Sequence, residues 1–452
     1  MPARNPDIAP GRLPAAEIER NFGDLHPPLS KSEALIAADR CYFCYAAPCT
    51  AACPTGIDIP RFIQGIRSGD LEGAAVAILS ENVMGGMCAR VCPTEVLCEQ
   101  ACVRNSHEEK PVDIGLLQRH ATDPFLSSGR QLFARAPDSG HRVAVVGGGP
   151  AGLSCAHRLA MHGHSVTVYC RDARPGGLNE YGIATYKTVD DFAQREVEWI
   201  LGIGGIEVKA GVALGRDVSL AQLCRGHDAV FLATGLAGTH RLGLEHEDLP
   251  GVEDAVRFIA ALRQAADKAA IPVGRHVVVI GGGMTAIDVA VQCRRLGSED
   301  VTIVYRRGRE HMGASRYEQE LALGDGVRIR HWARPVRLVG SDHVTRVEFE
   351  GTRIGADGRL EGTGETFALG ADVVFKAIGQ EMDWDGLGAA SAVLEVADGR
   401  IKVDAERKTS LDNVWAGGDC VAGGKDLTVT AVQDGKIAAE SIDRWLRSGR
   451  AA

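Results

Sequence analysis

Eight of the chain's thirteen cysteines fall in one stretch: Cys41, Cys44, Cys49, Cys53, Cys88, Cys92, Cys98 and Cys102. The first four read C-x2-C-x4-C-x3-C-P and the second four C-x3-C-P-x4-C-x3-C, so each quartet holds a Cys-Pro step, Cys53-Pro54 and Cys92-Pro93. A [4Fe-4S] cluster needs thiolates converging on about four irons, and in two-cluster ferredoxins the Cys before Pro ligates the other cluster. Two quartets therefore point to two clusters. A structural zinc site also takes four cysteines, usually as two C-x2-C knuckles, but only Cys41 and Cys44 have that spacing. Disulfides would need an oxidising compartment, and nothing N-terminal resembles a secretory signal.

The elements that must position these cysteines are short helices. Residues 1–30, broken by Pro2, Pro6, Pro10 and Pro14, read as an irregular arm. A helical pattern runs from Ser32 into the first cysteines. The apolar groups Ile59-Pro60-Arg61-Phe62-Ile63 and Ala74 to Leu79 predict two helices between the quartets, and Val112 to His120 predicts another. Residues 1–122 are expected as an α-helical domain whose core is partly replaced by inorganic clusters, and residues 123–141 as a linker.

Beyond the linker, Arg142-Val143-Ala144-Val145-Val146 is a buried strand running into Gly147-Gly148-Gly149-Pro150-Ala151-Gly152 and a helix with Leu153, Ala156 and Leu159 at helical spacing. Gly147, Gly149 and Gly152 fit G-x-G-x-x-G in the strand–turn–helix context the motif requires. There the glycines admit a pyrophosphate to the backbone and let helix and strand pack closely, and the helix N-terminus offers N–H groups to phosphate. Ser165 to Tyr169 is the next strand. An acid at its end usually bonds ribose hydroxyls; here Cys170 occupies that place, followed by Arg171 and Asp172, so ribose binding is left unassigned. Pro175-Gly176-Gly177-Leu178 is a loop that could pass close to a flavin, and Ala229 to Gly235 is a further buried strand.

The pattern then repeats. His276 to Ile280 leads into Gly281-Gly282-Gly283-Met284-Thr285-Ala286, a G-x-G-x-x-A turn, and Val301 to Tyr305 is the following strand. It ends in Arg306-Arg307. Two guanidiniums there suit the 2′-phosphate of NADP, whereas a solvated basic strand end would tolerate NADH. Val344 to Phe349 alternates as a half-exposed strand, and Asp372 to Gly379 is more apolar. Asn413 to Cys420 forms a strand and a turn bearing Asp419, which could hold a ribityl chain, and Thr428 to Trp445 is an amphipathic closing helix whose start could face a flavin ring. Two nucleotide folds imply two nucleotides to bring together. The fold class expected is an α-helical iron–sulfur domain followed by two α/β Rossmann-like dinucleotide-binding domains, the first on 142–237 and 380–452 and the second inserted on 238–379.

Composition fits this reading. With 452 residues, 45% hydrophobic and 24% charged, the chain can bury the cores of two or three domains. Its formal charge of −9 includes no basic block, which argues against nucleic acid or anionic membrane as partner. No stretch approaches the roughly 18 apolar residues of a membrane helix, so the cytoplasm is the expected compartment.

With the cysteine quartets, both glycine turns and Ala416-Gly417-Gly418-Asp419 in hand, nearly the whole chain resembles the flavin and iron–sulfur subunit of bacterial dihydropyrimidine dehydrogenase. It is also similar to the N-terminal half of the single-chain animal enzyme and, more distantly, to the small subunit of glutamate synthase. The resemblance implies one cluster on Cys41, Cys44, Cys49 and Cys102, and a second on Cys53, Cys92, Cys98 and Gln118. Cys88 is then a bystander, although on residues alone Cys88 is the fourth ligand and Gln118 a helix surface residue. Val91, beside Cys92, is also expected at a cofactor. FAD is implied on Gly147, Gly149, Pro150, Ala151 and Gly152, with Gly176, Gly177, Leu178, Gly235, Gly418, Asp419 and Thr428 completing its site. NAD(P)H is implied on Gly281, Gly283, Met284, Thr285 and Ala286, with Arg306 and Arg307 at the adenosine end and Ala377, Ile378 and Gly379 close by. Bacterial members of that family are described as using NADH, against the arginine argument.

The implied function is electron input. Hydride passes from NAD(P)H to FAD, and single electrons pass through two [4Fe-4S] clusters to a partner, an FMN-containing catalytic subunit with ferredoxin-like clusters, in a hetero-oligomer. No residue here is then required as a general acid toward a pyrimidine, and no catalytic residue is assigned. Three rivals stand beside this reading. The chain could serve a different partner, as in glutamate synthase; Ile183-Ala184-Thr185-Tyr186-Lys187 and Phe375-Lys376-Ala377-Ile378-Gly379-Gln380 favour the pyrimidine family by resemblance. A flavin disulfide reductase needs a redox cysteine pair, but Cys155, Cys170, Cys224, Cys293 and Cys420 are scattered. A zinc-bearing docking module would hold zinc and no iron.

Overall fold

The computed structural model describes residues 5–449, and its chain divides into two compact units. Of the described residues, one comprises 26–180, 190–237 and 382–449; the other comprises 5–25, 181–189 and 238–381.

The first unit joins the cysteine-bearing helices to a parallel α/β sheet. Lys31–Asp39 begins behind a capping box in which Ser30 and Glu33 satisfy each other's backbone N–H. Ile59–Ser68 starts on an Asp58 cap with Pro60 in its first turn, and Leu71–Leu79 on an Asp70 cap. Phe62, Ile63, Ile78, Leu79 and Leu117 from these helices and Ile114–Ser128 form a shared core, which continues into Leu153, Phe192 and Trp199 of the α/β part. The sheet runs Val414–Ala416, Ala229–Leu232, Arg142–Val146, Ser165–Cys170 and Ile206–Ala210 in spatial order, with every pairing parallel. Helix Thr428–Arg447 packs against helix Pro150–Met161 with Gly435 at the contact; a Cβ there would lie 2.2 Å from the carbonyl oxygen of Ala151.

In the second unit the parallel order is Arg328–Arg330, Asp300–Val304, His276–Gly281, Val373–Ala377 and Val252–Asp254. A three-stranded antiparallel sheet, Ala333–Gly340, Val344–Ile354 and Leu360–Gly370, joins it. Gly238–Thr239 and Gln380–Glu381 pair antiparallel where the chain enters and leaves this unit.

Three boundaries differ from expectation. The N-terminal arm does not belong with the cysteine helices: Ile8–Ala9 pairs with Val273–Gly274, and helix Ala15–Asn21 presents Ile18 and Phe22 to the core of the second unit. Four prolines suggested an irregular arm, yet Pro14 stands at the N-cap of that helix, where its missing N–H costs nothing. The linker does not start at 123, because helix Ile114–Ser128 continues through Pro124, held by buried Phe125 and Leu126, and ends only at Gly129. Residues 181–189, assigned to the flavin fold, pack instead in the second unit. There Lys187 is buried between Asp288 and Glu318, at 2.7 and 2.8 Å, and Thr185 N–H donates to Gln292 Oε1. A Lys charge is almost never fully buried without such partners, so this segment is fixed by its ion pairs.

Candidate functional site

The eight cysteines gather into two groups that do not follow the sequence quartets. Cys41, Cys44, Cys49 and Cys102 line one small cavity, with Tyr42, Ile63 and Arg104. Cys53, Cys92 and Cys98 are electrostatic neighbours of one another, with Cys49 also acting on Cys98, and none of the three lines that cavity. Burial pushes the Cys49 thiol up to about 11 and raises those of Cys41 and Cys98, while the contact with Cys88 and then burial raise that of Cys92. Each is then a poor thiolate by itself, and a cationic centre would have to displace its proton. All thirteen cysteines are free. Among the described residues no three His, Cys, Asp or Glu side chains converge where one metal ion would touch all of them.

Cys88 lies directly against Cys92, and this contact is the largest influence on the Cys92 thiol. Gln118, on helix Ile114–Ser128, is buried and donates from Nε2 to the carbonyl of Gly85 at 2.7 Å, at the head of helix Gly85–Val91, which carries Cys88 and Cys92. Its Oε1 is left for another partner. Val91, in the last turn of that helix, packs half-buried on the helical core. Glu196 Oε1 accepts from the N–H groups of Gly86 and Met87, fixing the helix start, and burial pushes its carboxyl up to about 8. Arg90 from the same helix lies over the Phe192 ring at 3.4 Å and pairs with Asp123.

The first glycine turn is a cradle that admits no side chain. A Cβ on Gly152 would lie 1.9 Å from the Gly147 carbonyl oxygen, and Gly147, with φ +111, would clash with Ala233. Gly149 caps helix Pro150–Met161 without a side-chain bond, leaving its first N–H groups for an anion. Gly176 N–H donates to Gly148 O at 2.6 Å, so the Pro175–Gly177 loop lies against the turn, and Leu178 beside it is exposed. Gly235, with φ +62, follows the adjacent strand, and Gly418 approaches Ala151, placing the Asp419 turn beside the same helix start. Asp419 has no hydrogen-bond donor among the described residues, and burial, aided by Asp426, pushes its carboxyl up to about 7. The buried Thr430 Oγ1 and Gln433 Oε1 lack partners too. A dinucleotide with a hydroxylated chain and a polar ring supplies what these groups lack, so the residues fit FAD. Cys170 offers no ribose acid: its thiol sits under Gly148, and Asp172 faces Arg171.

The second turn repeats the geometry. Gly281 has φ +146 with Ala377 O pressed against it, Gly283 caps helix Met284–Arg295 without a side-chain bond, and Met284 and Thr285 begin that helix. Ala286, at the place of Gly152, is fully buried. Ile378 packs half-buried on the adjoining core, and Gly379, with φ +99, faces His240. Arg306 is exposed and Arg307 half-buried, and neither guanidinium has an ion pair or hydrogen bond among the described residues. Unpaired cations at this strand end suit a phosphorylated nucleotide.

Two nucleotide turns of this geometry define a dinucleotide-dependent oxidoreductase. Residues 141–435 match the family model "Pyridine nucleotide-disulphide oxidoreductase", and residues 18–130 match "Dihydroprymidine dehydrogenase domain II, 4Fe-4S cluster". The chain is 34% identical over 463 residues to the glutamate synthase [NADPH] small chain of Escherichia coli, covering 97% of each protein. It is 35% identical over 430 residues to the NAD-dependent dihydropyrimidine dehydrogenase subunit PreT of the same organism, covering 95% of this chain and 98% of that one. Mycobacterium tuberculosis FprA, solved with NADPH, shares the fold at TM-score 0.58 and 20% identity, over 70% of this chain and 86% of that one. The chain belongs to the family of glutamate synthase small chains and PreT subunits, NAD(P)H-dependent FAD oxidoreductases with an N-terminal 4Fe-4S domain. Among the described residues no helix is long and apolar enough to cross a membrane.

Sequence reasoning missed Asn179, Thr430, Gln433 and Glu196. Each is a polar residue inside an amphipathic or loop pattern, and only burial without solvent reveals it. Asn179, directly after the flavin-loop residue Leu178, carried the one available signal.

Proposed function

We propose that this chain is the electron-input subunit of a dihydropyrimidine dehydrogenase, working with a partner that carries FMN, ferredoxin-like clusters and the site reducing uracil or thymine. The observation that supports it most is the gathering of two interleaved cysteine groups in the same compact unit as the FAD-type turn. When bound, the nicotinamide supplies hydride, the flavin converts two-electron into one-electron chemistry, and two [4Fe-4S] clusters carry single electrons outward. The chain's own residues bind and orient. The N–H groups after Gly149 and Gly283 hold pyrophosphates, Asp419 takes ribityl hydroxyls, and Thr428 with Asn179 fixes the closing helix against the flavin loop. Cys41, Cys44, Cys49 and Cys102 hold one cluster; Cys53, Cys92, Cys98 and Gln118 hold the other. A glutamine in place of a thiolate removes a negative charge, one lever on cluster potential.

The purified chain with NAD(P)H and uracil yields no dihydrouracil, and adding an FMN-bearing partner subunit restores product; product from the chain alone contradicts the proposal. A second reading, the small chain of a glutamate synthase, is favoured by the unpaired Arg306 and Arg307, since the relative of that kind uses NADPH. The two arginines make their own prediction. Charged hydrogen bonds contribute about 1.5–3 kcal/mol, so Arg306→Gln with Arg307→Gln lowers kcat/KM for NADPH about 10- to 100-fold. The value for NADH stays nearly constant; equal losses for both nucleotides would place the arginines elsewhere than at a 2′-phosphate.

A further inference from the structure

The turn before helix Gly85–Val91 touches both the flavin loop and the glutamine proposed as a cluster ligand. Thr428 Oγ1, at the head of the closing helix, donates to Asn179 Oδ1 at 2.7 Å. Asn179 Nδ2 in turn donates to the Met84 sulfur at 3.6 Å. Met84 is bonded to Gly85, whose carbonyl accepts from Gln118 Nε2 at 2.7 Å. Met84 and Asn179 are 1% and 2% exposed, so water is shut out of the line. The Met84 backbone is itself fixed by its N–H donating to Asn82 Oδ1 at 3.1 Å. Three non-covalent contacts and one peptide step thus run from the head of the closing helix, through Asn179 beside the flavin loop, to the one non-cysteine ligand proposed. With Nε2 held on Gly85, Oε1 is the atom of Gln118 left for iron.

We propose that Thr428, Asn179, Met84 and Gly85 form the contact path along which electrons leave the flavin for the cluster held by Cys53, Cys92, Cys98 and Gln118. Met84 is its bridging residue. This rests on the electron-input reading above. Each transfer takes one electron from reduced flavin and reduces one oxidised cluster. After two transfers the flavin is fully oxidised, the proton that came with the hydride has gone to solvent, and no bond of the protein has broken. A thioether suits the middle position: it is polarisable, fills an irregular gap and accepts a weak hydrogen bond without carrying charge.

The test is rapid mixing of the holoprotein with NADPH or NADH, following flavin reduction and cluster reduction separately in each sample, with iron and flavin contents measured beforehand. Met84→Ala opens a gap in the path, and the ratio of the flavin-to-cluster rate to the flavin-reduction rate falls roughly tenfold, because an empty space replaces contacting atoms. The cluster midpoint potential and electron paramagnetic resonance spectrum stay as in the parent, which places the loss in the path rather than in the driving force. Met84→Leu, which keeps the volume, restores most of the ratio. If Met84→Ala loses iron, Asn179→Ala carries the same prediction. An unchanged ratio in an iron-replete variant overturns the path. Failure of the parent protein's flavin to be reduced by either nucleotide overturns instead the reading on which it rests.

Discussion

Removing Cys49 and Cys53 together is expected to empty both iron sites, taking bound iron from about eight per chain to near zero. Removing Cys53 and Cys92 together is expected to leave about four. The contrast follows from the interleaved grouping. Cys49 shares its surroundings with Cys41 and Cys102, whereas Cys53 stands with Cys92 and Cys98, although Cys49 and Cys53 are one helical turn apart in the chain. The short helix Pro48–Ala52 separates them. If each sequence quartet held its own cluster, the results would be exchanged: four irons left after the first pair is removed, none after the second. Iron analysis on alanine variants, with far-UV circular dichroism confirming that the helices persist, decides between the two. Gln118→Ala is the companion variant. It removes the Gly85 contact as well as the oxygen ligand, and retains the iron of the Cys41 group only.

A single methyl group at Gly152 has the second large effect. Its Cβ would meet the Gly147 carbonyl oxygen at 1.9 Å, so backbone has to shift to admit it, and the Val145 side chain lies at 3.1 Å. Overpacking of this kind costs about 1–3 kcal/mol, and at 1.4 kcal/mol per decade Gly152→Ala weakens FAD about 10- to 100-fold. The matching position of the second turn already carries Ala286, so the chain itself shows that alanine is compatible with a nucleotide turn whose backbone is set slightly apart. The variant should keep its affinity for NAD(P)H while losing flavin. Equilibrium dialysis with FAD, beside fluorescence titration with the nicotinamide nucleotide, checks both. Loss of both nucleotides together would mean global unfolding.

Both nucleotide folds were legible because strand, glycine turn and helix follow one another within about thirty residues, and the periodicity of each is local. Val143 to Val146 and Val277 to Ile280 read as buried strands and are so. The cysteines announced iron and sulfur, but spacing alone assigned them to quartets. Their grouping depends on contacts distant in sequence: Phe62, Ile63 and Ile78 of the intervening helices share one core with Cys98, and Cys41, Cys49, Cys53 and Cys102 pack against it. Gln118 looked like a helix surface residue because glutamine usually faces solvent; its burial is set by helix Gly85–Val91, far away in sequence. The arm was misread for the opposite reason. Prolines at 6, 10 and 14 suggested irregular chain, while Ile8, Ile18 and Phe22 held the signal of a partner surface supplied by residues beyond 250. Asp419 was singled out from its turn, whereas Thr430 and Gln433, in the first and second turns of an ordinary amphipathic helix, were not.

Anaerobic reductive titration of the purified holoprotein tests the central claim most directly. One FAD and two [4Fe-4S] clusters accept about four electrons per chain, two in the flavin and one in each cluster. Titration with NADPH or NADH, calibrated against dithionite and followed by flavin absorbance and cluster electron paramagnetic resonance, should show about four equivalents with dithionite and flavin bleaching with the nucleotide. Uptake of two electrons only, with zinc in place of iron, would contradict the account.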